Sequence, residues 1–106
     1  MTRTIVLTTC GSAREARVIA NDLIRKKLAA CVNIIPISSC YRWKGKVVNE
    51  REWLMMIKSK SSVFPTLTRR IRALHSYELP EIISINIDNG LPRYLAWVDK
   101  ELDNRV

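Results

Sequence analysis

Hydrophobic residues recur along this chain in two kinds of pattern. Short apolar or alternating runs predict strands, and apolar residues three or four positions apart predict helices. A short apolar run around Ile5–Leu7 predicts a strand over residues 3–9. Apolar residues then recur at helical spacing to about residue 27, on one face of a predicted helix. Ser12 and Glu15 stand at its start with the spacing of a capping box, in which each side chain reaches the backbone amide of the other residue.

The middle of the chain predicts an unusually long β-hairpin. Residues 29–43 are rich in Val, Ile, Cys and Tyr, and residues 46–58 return after a turn at Lys44–Gly45. Both strands are about twice the usual length of ~5–6 residues. Pro36 lies within the first strand, and we expect a bulge or an edge position there because proline has no amide to donate to a neighbouring strand.

The last part of the chain predicts a helix, a strand and a final helix. Ser61 and Ser62 are expected to cap a helix that ends near His75. Isoleucines alternate with polar residues over 83–88, which predicts a half-buried strand, and Pro92 suits the first turn of the final helix. The order β-α-β-β-α-β followed by a helix predicts a ferredoxin-like α+β domain, in which both main helices cover one face of a four-stranded antiparallel sheet.

The composition narrows the class of protein. With 106 residues, of which 47% are hydrophobic, the chain fits one packed domain over residues 1–106. Three cysteines, an odd number, argue against a disulfide framework. The absence of a signal-peptide core and of an apolar run of ~18 residues predicts a cytoplasmic protein with no membrane partner. The net charge of +8 fits either nucleic-acid binding or helix surfaces solvated by Lys and Arg. Because no aromatic RNP motif is present, nucleic acid is the less favoured partner.

Both faces of the predicted hairpin need to be buried. In the returning strand Trp53, Met55 and Ile57 share one face, while Leu54 and Met56 occupy the other. The two main helices can cover only one face of the sheet. We therefore predict that another copy of the chain covers the second face, unless the final helix does so.

Six segments spread over nearly the whole chain carry a family resemblance. In chain order they are residues 27–34, residues 41–46, Glu52, Ile57–Lys58, residues 75–81 and residues 94–97. In this order and spacing they resemble the CutA family of divalent cation tolerance proteins. The resemblance implies a homotrimer of ferredoxin-like subunits with long hairpins that reach across to neighbours. It also implies a non-enzymatic protein that binds a divalent metal, copper, which folding does not require.

The implied architecture is also similar to that of the trimeric PII signalling proteins. A small-molecule sensor that uses the clefts between subunits, or a trimeric scaffold, is therefore the alternative to metal binding. These alternatives share the trimer with the first hypothesis and differ from it in the ligand.

Two positions depart from the family pattern. The family commonly reads His-Pro-Tyr where this chain has His75-Ser76-Tyr77, and loss of the proline is expected to loosen the turn. Some bacterial members resemble metal binders with a cysteine at the end of the first strand, where this chain has Thr8. Cys10 lies two residues further on the same strand face, and it can substitute only if the strand continues past its predicted end.

The predicted metal site is centred on His75, the only histidine in the sequence. Neutral imidazole is a good ligand for copper and zinc, and we predict that Glu81 and Cys10 complete the site. The alternative is a histidine that only caps its helix, where a positive charge is favourable. A single histidine and the absence of a Gly-rich loop leave no recognisable catalytic set, so we predict no enzymatic activity.

A second predicted site lies in the clefts between subunits. Glu52 and Lys58 are six residues apart on one strand and so share a face, and we place Tyr77 in the same cleft. Charged groups among apolar neighbours need partners. The pair therefore predicts either a polar cleft for a small anion or a metal, or a salt bridge between subunits. Three aromatic residues near the hairpin tip are predicted interface anchors: Tyr41, Trp43 and Trp53.

Overall fold

The helices and strands follow the order predicted from the sequence. The computed structural model describes residues 2–104. Its elements are strand β1 (Arg3–Cys10), helix α1 (Ala13–Arg25), strands β2 (Cys31–Trp43) and β3 (Lys46–Lys60), helix α2 (Phe64–Leu74), strand β4 (Ile83–Asn86) and helix α3 (Pro92–Glu101). The sheet has the strand order β2-β3-β1-β4, and each neighbouring pair is antiparallel. This arrangement confirms the ferredoxin-like α+β fold with an additional C-terminal helix.

The β2–β3 hairpin is longer than the rest of the sheet. Its pairing keeps one register throughout, and Pro36 fits without a bulge because β2 is an edge strand. Lys44 and Gly45 both have positive φ (50° and 79°), as a tight hairpin turn requires. Strand β1 pairs with β3 only as far as Trp53. Residues 37–52, which we call the hairpin arm, therefore extend beyond the sheet, and the radius of gyration is 14.2 Å against about 13 Å for a compact domain of this size.

Two helix boundaries differ from the prediction. Helix α1 ends at Arg25 rather than residue 27, because Lys27 adopts a left-handed conformation with φ 58°. The amide of Leu28 then donates to the carbonyl of Leu23 (2.9 Å), which satisfies a carbonyl at the helix end. The predicted serine caps of α2 are wrong, because Ser61–Val63 form a short 3-10 helix that leads into α2 and no side chain caps either helix.

The hydrophobic core lies between helices α1 and α2 and one face of the sheet. Its buried residues include Val6, Cys10, Ala16, Ile19, Leu23, Met55, Ile57, Leu67 and Ile71. Outside the core, the guanidinium of Arg70 on α2 donates to both carboxylate oxygens of Asp22 on α1, at 2.6 and 3.0 Å. This pairing lowers the pKa of Asp22. This ion pair joins α2 to α1 beside the core.

The opposite sheet face, which we call the open face, is apolar and only partly covered. Cross-strand pairing places six apolar residues of three strands on it: Ile5, Leu7, Leu54, Met56, Ile83 and Ile85. Helix α3 covers one end of this face, where Val98 and Leu102 are buried with Ala30 and Asp99 pairs with Arg3 at 2.6 Å. The final helix therefore does not cover the whole face, since Ile83 and Ile85 are 50% and 52% exposed.

Candidate metal centre

Three side chains with metal-binding atoms converge where β1 and α2 end. Strand β1 continues to Cys10, one residue past its predicted end. Cys10 can therefore take the place of the cysteine that some bacterial relatives have earlier on the same strand face. Its Sγ lies 3.7 Å from Nε2 of His75, the residue that follows α2. Glu15 approaches from the first turn of α1, and its Oε1 lies 3.5 Å from Nδ1 of His75. Within residues 2–104, this is the one group of three such side chains whose ligand atoms all lie within 4.8 Å of one another.

The imidazole of His75 is fully buried, and both of its nitrogens have partners. Nε2 lies 2.7 Å from the carbonyl oxygen of Thr9, so this nitrogen carries the proton and donates it. Nδ1 accepts the backbone N–H of Tyr77 at 3.1 Å. A neutral imidazole has one donor and one acceptor nitrogen, and this geometry uses both. The ring therefore joins the end of β1 to the loop after α2.

The carboxylate of Glu15 is held by Ser76. Oε1 accepts from the backbone N–H of Ser76 at 2.7 Å, and Oε2 accepts from its hydroxyl at 2.8 Å. Only half of the predicted capping box forms, because the Ser12 hydroxyl accepts from the Glu15 amide (3.1 Å) while the Glu15 side chain turns to Ser76. A proline at this position would supply neither donor. Serine thus ties the turn to α1 by two hydrogen bonds, which opposes the loosening expected from loss of the proline.

The Cys10 thiol lies in a fully buried and electrostatically unfavourable place for a thiolate. Burial raises the pKa of the Cys10 thiol to about 12, and the negative charges of Glu15 and Glu52 add to the shift. The thiol is therefore protonated near neutral pH, and a metal ion would have to displace its proton. The ion would also have to displace one hydrogen-bond partner of His75, because both ring nitrogens are in use. Under these two conditions the sulfur, nitrogen and carboxylate donors form a set that suits copper or zinc.

A groove of about 830 Å³ lies on the open face, between the hairpin arm and the loop after α2. Tyr77 extends into it from the loop and donates its hydroxyl proton to Oε2 of Glu52 at 2.8 Å. Burial and this bond raise the pKa of Tyr77. The Tyr77 side chain needs a small residue at position 11, because a Cβ added at Gly11 would lie 3.2 Å from the Tyr77 hydroxyl oxygen. The groove thus contains two predicted cleft residues, and it also contains Glu81, which does not belong to the cluster around His75.

The third predicted cleft residue, Lys58, lies far from the groove. Six residues of extended strand separate it from Glu52 by about 20 Å. Its ammonium group donates to the side-chain oxygen of Asn33 on the neighbouring strand. A salt bridge between Glu52 and Lys58 within one chain is therefore excluded.

The three predicted interface anchors lie on different faces of the hairpin. Tyr41 and Trp43 line the groove from the hairpin arm, and each is 37% exposed. Trp53 lies on the helix-facing side, where it packs partly buried against the core with the guanidinium of Arg51 6.0 Å from its ring centre. Two of the three therefore remain accessible, and the third packs within its own domain.

The comparison with known proteins identifies the family. A family model described as "CutA1 divalent ion tolerance protein" matches residues 4–101. The chain belongs to the CutA1 family. It is 48% identical over 91 residues to protein CutA of Mus musculus, a match that covers 85% of this chain and 51% of that protein. It is 45% identical over 95 residues to the divalent-cation tolerance protein CutA of Thermus thermophilus, covering 89% of this chain and 92% of that protein. The chain thus spans about half the length of the mouse relative and nearly all of the Thermus one.

Solved CutA1 structures share this fold over almost the whole chain. The divalent cation tolerance protein of Thermus thermophilus superimposes with a TM-score of 0.92 at 42% identity, covering 95% of this chain and 99% of that one. The protein from Archaeoglobus fulgidus, described as a periplasmic divalent cation tolerance protein, gives 0.93 at 40% identity with coverage of 95% and 99%. Because one relative is described as periplasmic, the cytoplasmic location stays a prediction. No helix in residues 2–104 combines the length and apolarity needed to cross a membrane.

Proposed function

We propose that this CutA1 family member is a homotrimer that binds copper at His75 and Cys10 and thereby contributes to metal tolerance. The observation that carries the proposal is the convergence of a thiol, an imidazole and the Glu15 carboxylate at the end of β1. One thiolate and one carboxylate balance the charge of a divalent ion, which lowers the free-energy penalty of placing that ion in a buried site. In this proposal Glu15 takes the role predicted for Glu81, which lines the groove instead.

The trimer accounts for the apolar surface that a single chain leaves exposed. Ile83 and Ile85 on the open face, together with Tyr41 and Trp43 on the same side of the hairpin arm, are between 37% and 52% exposed. Large apolar side chains exposed on one side of a domain mark a protein interface. A second copy of this chain is the partner that the family architecture implies, and the arm has the length to reach it. The predicted pairing of Glu52 with Lys58 then occurs between subunits.

The geometry of Cys10 and His75 argues against an enzyme. A thiol beside an imidazole resembles a nucleophile with its base, but catalytic cysteines have a lowered pKa and are accessible to substrate. The Cys10 thiol is fully buried, and its pKa is raised to about 12. The pair is therefore suited to holding a metal rather than to attacking a substrate.

The proposal is tested by a calorimetric Cu(II) titration of the reduced protein, with the oligomer mass measured by light scattering on the same sample. Every protein in the test carries Cys31→Ser and Cys40→Ser, because both are free cysteines that bind copper themselves. We expect saturable binding by a trimer that keeps His75, loss of binding in His75→Ala and weaker binding in Glu15→Gln. Glu81→Gln is the matched control, because it removes a carboxylate charge from the groove and leaves the cluster intact. Absence of binding at micromolar copper by an intact trimer would refute the proposal. Loss of binding in Glu81→Gln but not in Glu15→Gln would restore Glu81 as the ligand.

The groove supports a second candidate function, a small-molecule sensor related to PII proteins. Its volume of about 830 Å³ falls within the ~300–1,000 Å³ usual for ligand pockets. The carboxylate of Glu52, 5% exposed and bonded to Tyr77, provides a buried charge that suits a ligand with a cationic group. A ligand that binds only the folded state raises the Tm, so a thermal-shift screen of small amines and nucleotides tests this function. The raised Tm should be absent in Glu52→Gln.

A further inference from the structure

The positive charge of this chain is concentrated on its two main helices. Residues 12–27 and 61–75, which contain α1, α2 and their ends, hold eight of the 18 Lys and Arg residues but only two of the ten Asp and Glu residues. These two segments therefore carry a net charge of +6, out of +8 for the whole chain. The helix side of the domain is thus strongly basic, while the charges of the remaining residues nearly balance.

The two acidic residues of these segments leave the arginines of α1 without a charge partner. Asp22 already pairs with two basic neighbours, and Glu15 accepts two hydrogen bonds from Ser76. Within residues 2–104 no ion pair involves three exposed arginines of α1: Arg14, Arg17 and Arg25. Their guanidinium groups are therefore available to an external anion.

The three arginines lie in one stripe along the exposed side of α1. Helical spacing places five residues on this side, where they line an open depression of about 320 Å³: Arg14, Arg17, Val18, Asn21 and Arg25. With a rise of about 1.5 Å per residue, the stripe is about 16 Å long. One strand of duplex DNA has a phosphate about every 3.4 Å, so the stripe spans about five phosphates of that strand.

The residue types around the stripe favour duplex DNA over other polyanions. A helix that binds a membrane surface inserts an apolar face, whereas the apolar face of α1 is buried in the core of the domain. Proteins that bind single strands stack the bases on aromatic side chains. Helix α1 has no aromatic residue, and Phe64, the one in α2, packs against the core. What remains is a row of guanidinium groups, which bind phosphate oxygens through paired hydrogen bonds.

We infer that the exposed side of α1 binds the phosphate backbone of duplex DNA through Arg14, Arg17 and Arg25, without reading the base sequence. The missing RNP motif does not oppose this, because such motifs stack bases and backbone contacts need only cations. The inference goes beyond the proposed function, since no residue of the candidate metal centre or of the open face takes part. In the proposed trimer the open face is covered, and each copy still presents one stripe on its helix side.

The test compares variants that have the same net charge but lose it from different surfaces. The stripe variant carries Arg14→Gln, Arg17→Gln and Arg25→Gln. The matched control removes three exposed cations outside α1 and α2, by Lys46→Gln, Arg93→Gln and Lys100→Gln. A third variant replaces the three stripe arginines with lysine, which keeps the charge at each position. Fluorescence anisotropy of a labelled DNA duplex of about 20 base pairs measures the affinity between about 50 and 200 mM salt.

We expect the logarithm of the affinity to fall linearly with the logarithm of the salt concentration. The stripe variant should bind about tenfold more weakly or worse at the lowest salt, and its salt slope should be smaller by about 2–3, because three phosphate contacts are lost. The matched control and the lysine variant should keep nearly the wild-type slope. Equal weakening in the stripe variant and the matched control would overturn the inference. So would absence of duplex binding at the lowest salt, or binding to phosphatidylserine vesicles in its place.

Discussion

Replacing Tyr77 with phenylalanine removes the hydroxyl that donates to Glu52 across the end of β1 at 2.8 Å. Because Glu52 is 5% exposed, its carboxylate would lose this partner where little water can replace it. Hydrogen bonds to charged groups contribute about 1.5–3 kcal/mol to stability. We therefore expect Tyr77→Phe to lower the free energy of unfolding by about 2 kcal/mol.

A double-mutant cycle separates this bond from other effects of the substitution. Glu52→Gln keeps the shape of the side chain and removes its charge. The coupling free energy between the two substitutions should be about 1–2 kcal/mol, since the residues are in direct contact. It is measured by urea denaturation at one fixed protomer concentration, because the stability of an oligomer depends on concentration.

The pH dependence gives a second check on the same bond. The folded-state pKa of Tyr77 is raised above its ordinary value, because burial and the Glu52 carboxylate disfavour the phenolate. A raised pKa stabilises the fold below the unfolded-state value of about 10, and this stabilisation is lost as the pH rises through the folded-state value. The coupling should therefore be equal at pH 7 and pH 9. A coupling below about 0.5 kcal/mol at pH 7 would refute the reasoning, since independent sites differ from additivity by no more than that. A coupling that disappears between pH 7 and pH 9 would refute it as well.

Three further predictions test the thiol, the open face and the turn after α2. At pH 8 iodoacetamide should modify exposed Cys40 and leave buried Cys10 unmodified, because the pKa of Cys10 is raised to about 12. Peptide mass spectrometry measures the labelling, and rapid labelling of Cys10 would contradict the prediction. Ile85→Glu should shift the proposed trimer towards monomer in sedimentation, whereas Val18→Glu, at an equally exposed position (52%) on α1, should not. Identical behaviour of the two variants would argue against an interface on the open face. Ser76→Pro should lower the free energy of unfolding by about 1–2 kcal/mol, because two hydrogen bonds to α1 are lost. An unchanged free energy of unfolding in urea would show that these bonds do not stabilise the protein.

The fold could be predicted because the elements that the hydrophobic patterns indicate, taken in chain order, match the element order of a ferredoxin-like domain. An apolar run identified β1, composition identified the hairpin, alternation identified β4, and helical spacing identified both main helices. Of the two possibilities that Pro36 indicated, a bulge or an edge position, the structure has the edge position. The end of α1 could not be predicted, because the left-handed residue is Lys27, a residue type that does not indicate a helix end. The caps of α2 were misassigned because serine also fits a 3-10 turn.

The candidate site was only partly predictable. His75 and Cys10 stood out by residue type, but Glu15 reaches this site through tertiary packing, since it bonds to a residue 61 positions away. Its capping-box position suggested a purely local role. Glu81 is close to His75 in sequence, yet it lines the groove instead.

The central claim is that a trimer of this chain holds copper at His75 and Cys10. Native mass spectrometry of the reduced protein with one equivalent of copper per chain tests it most directly. Cys31 and Cys40 are replaced by serine in both proteins, because both are free cysteines that bind copper themselves. We predict a trimer with three copper ions when His75 is present and a His75→Ala trimer with none. A copper-free trimer that keeps His75, or a monomer that keeps it, would contradict the account.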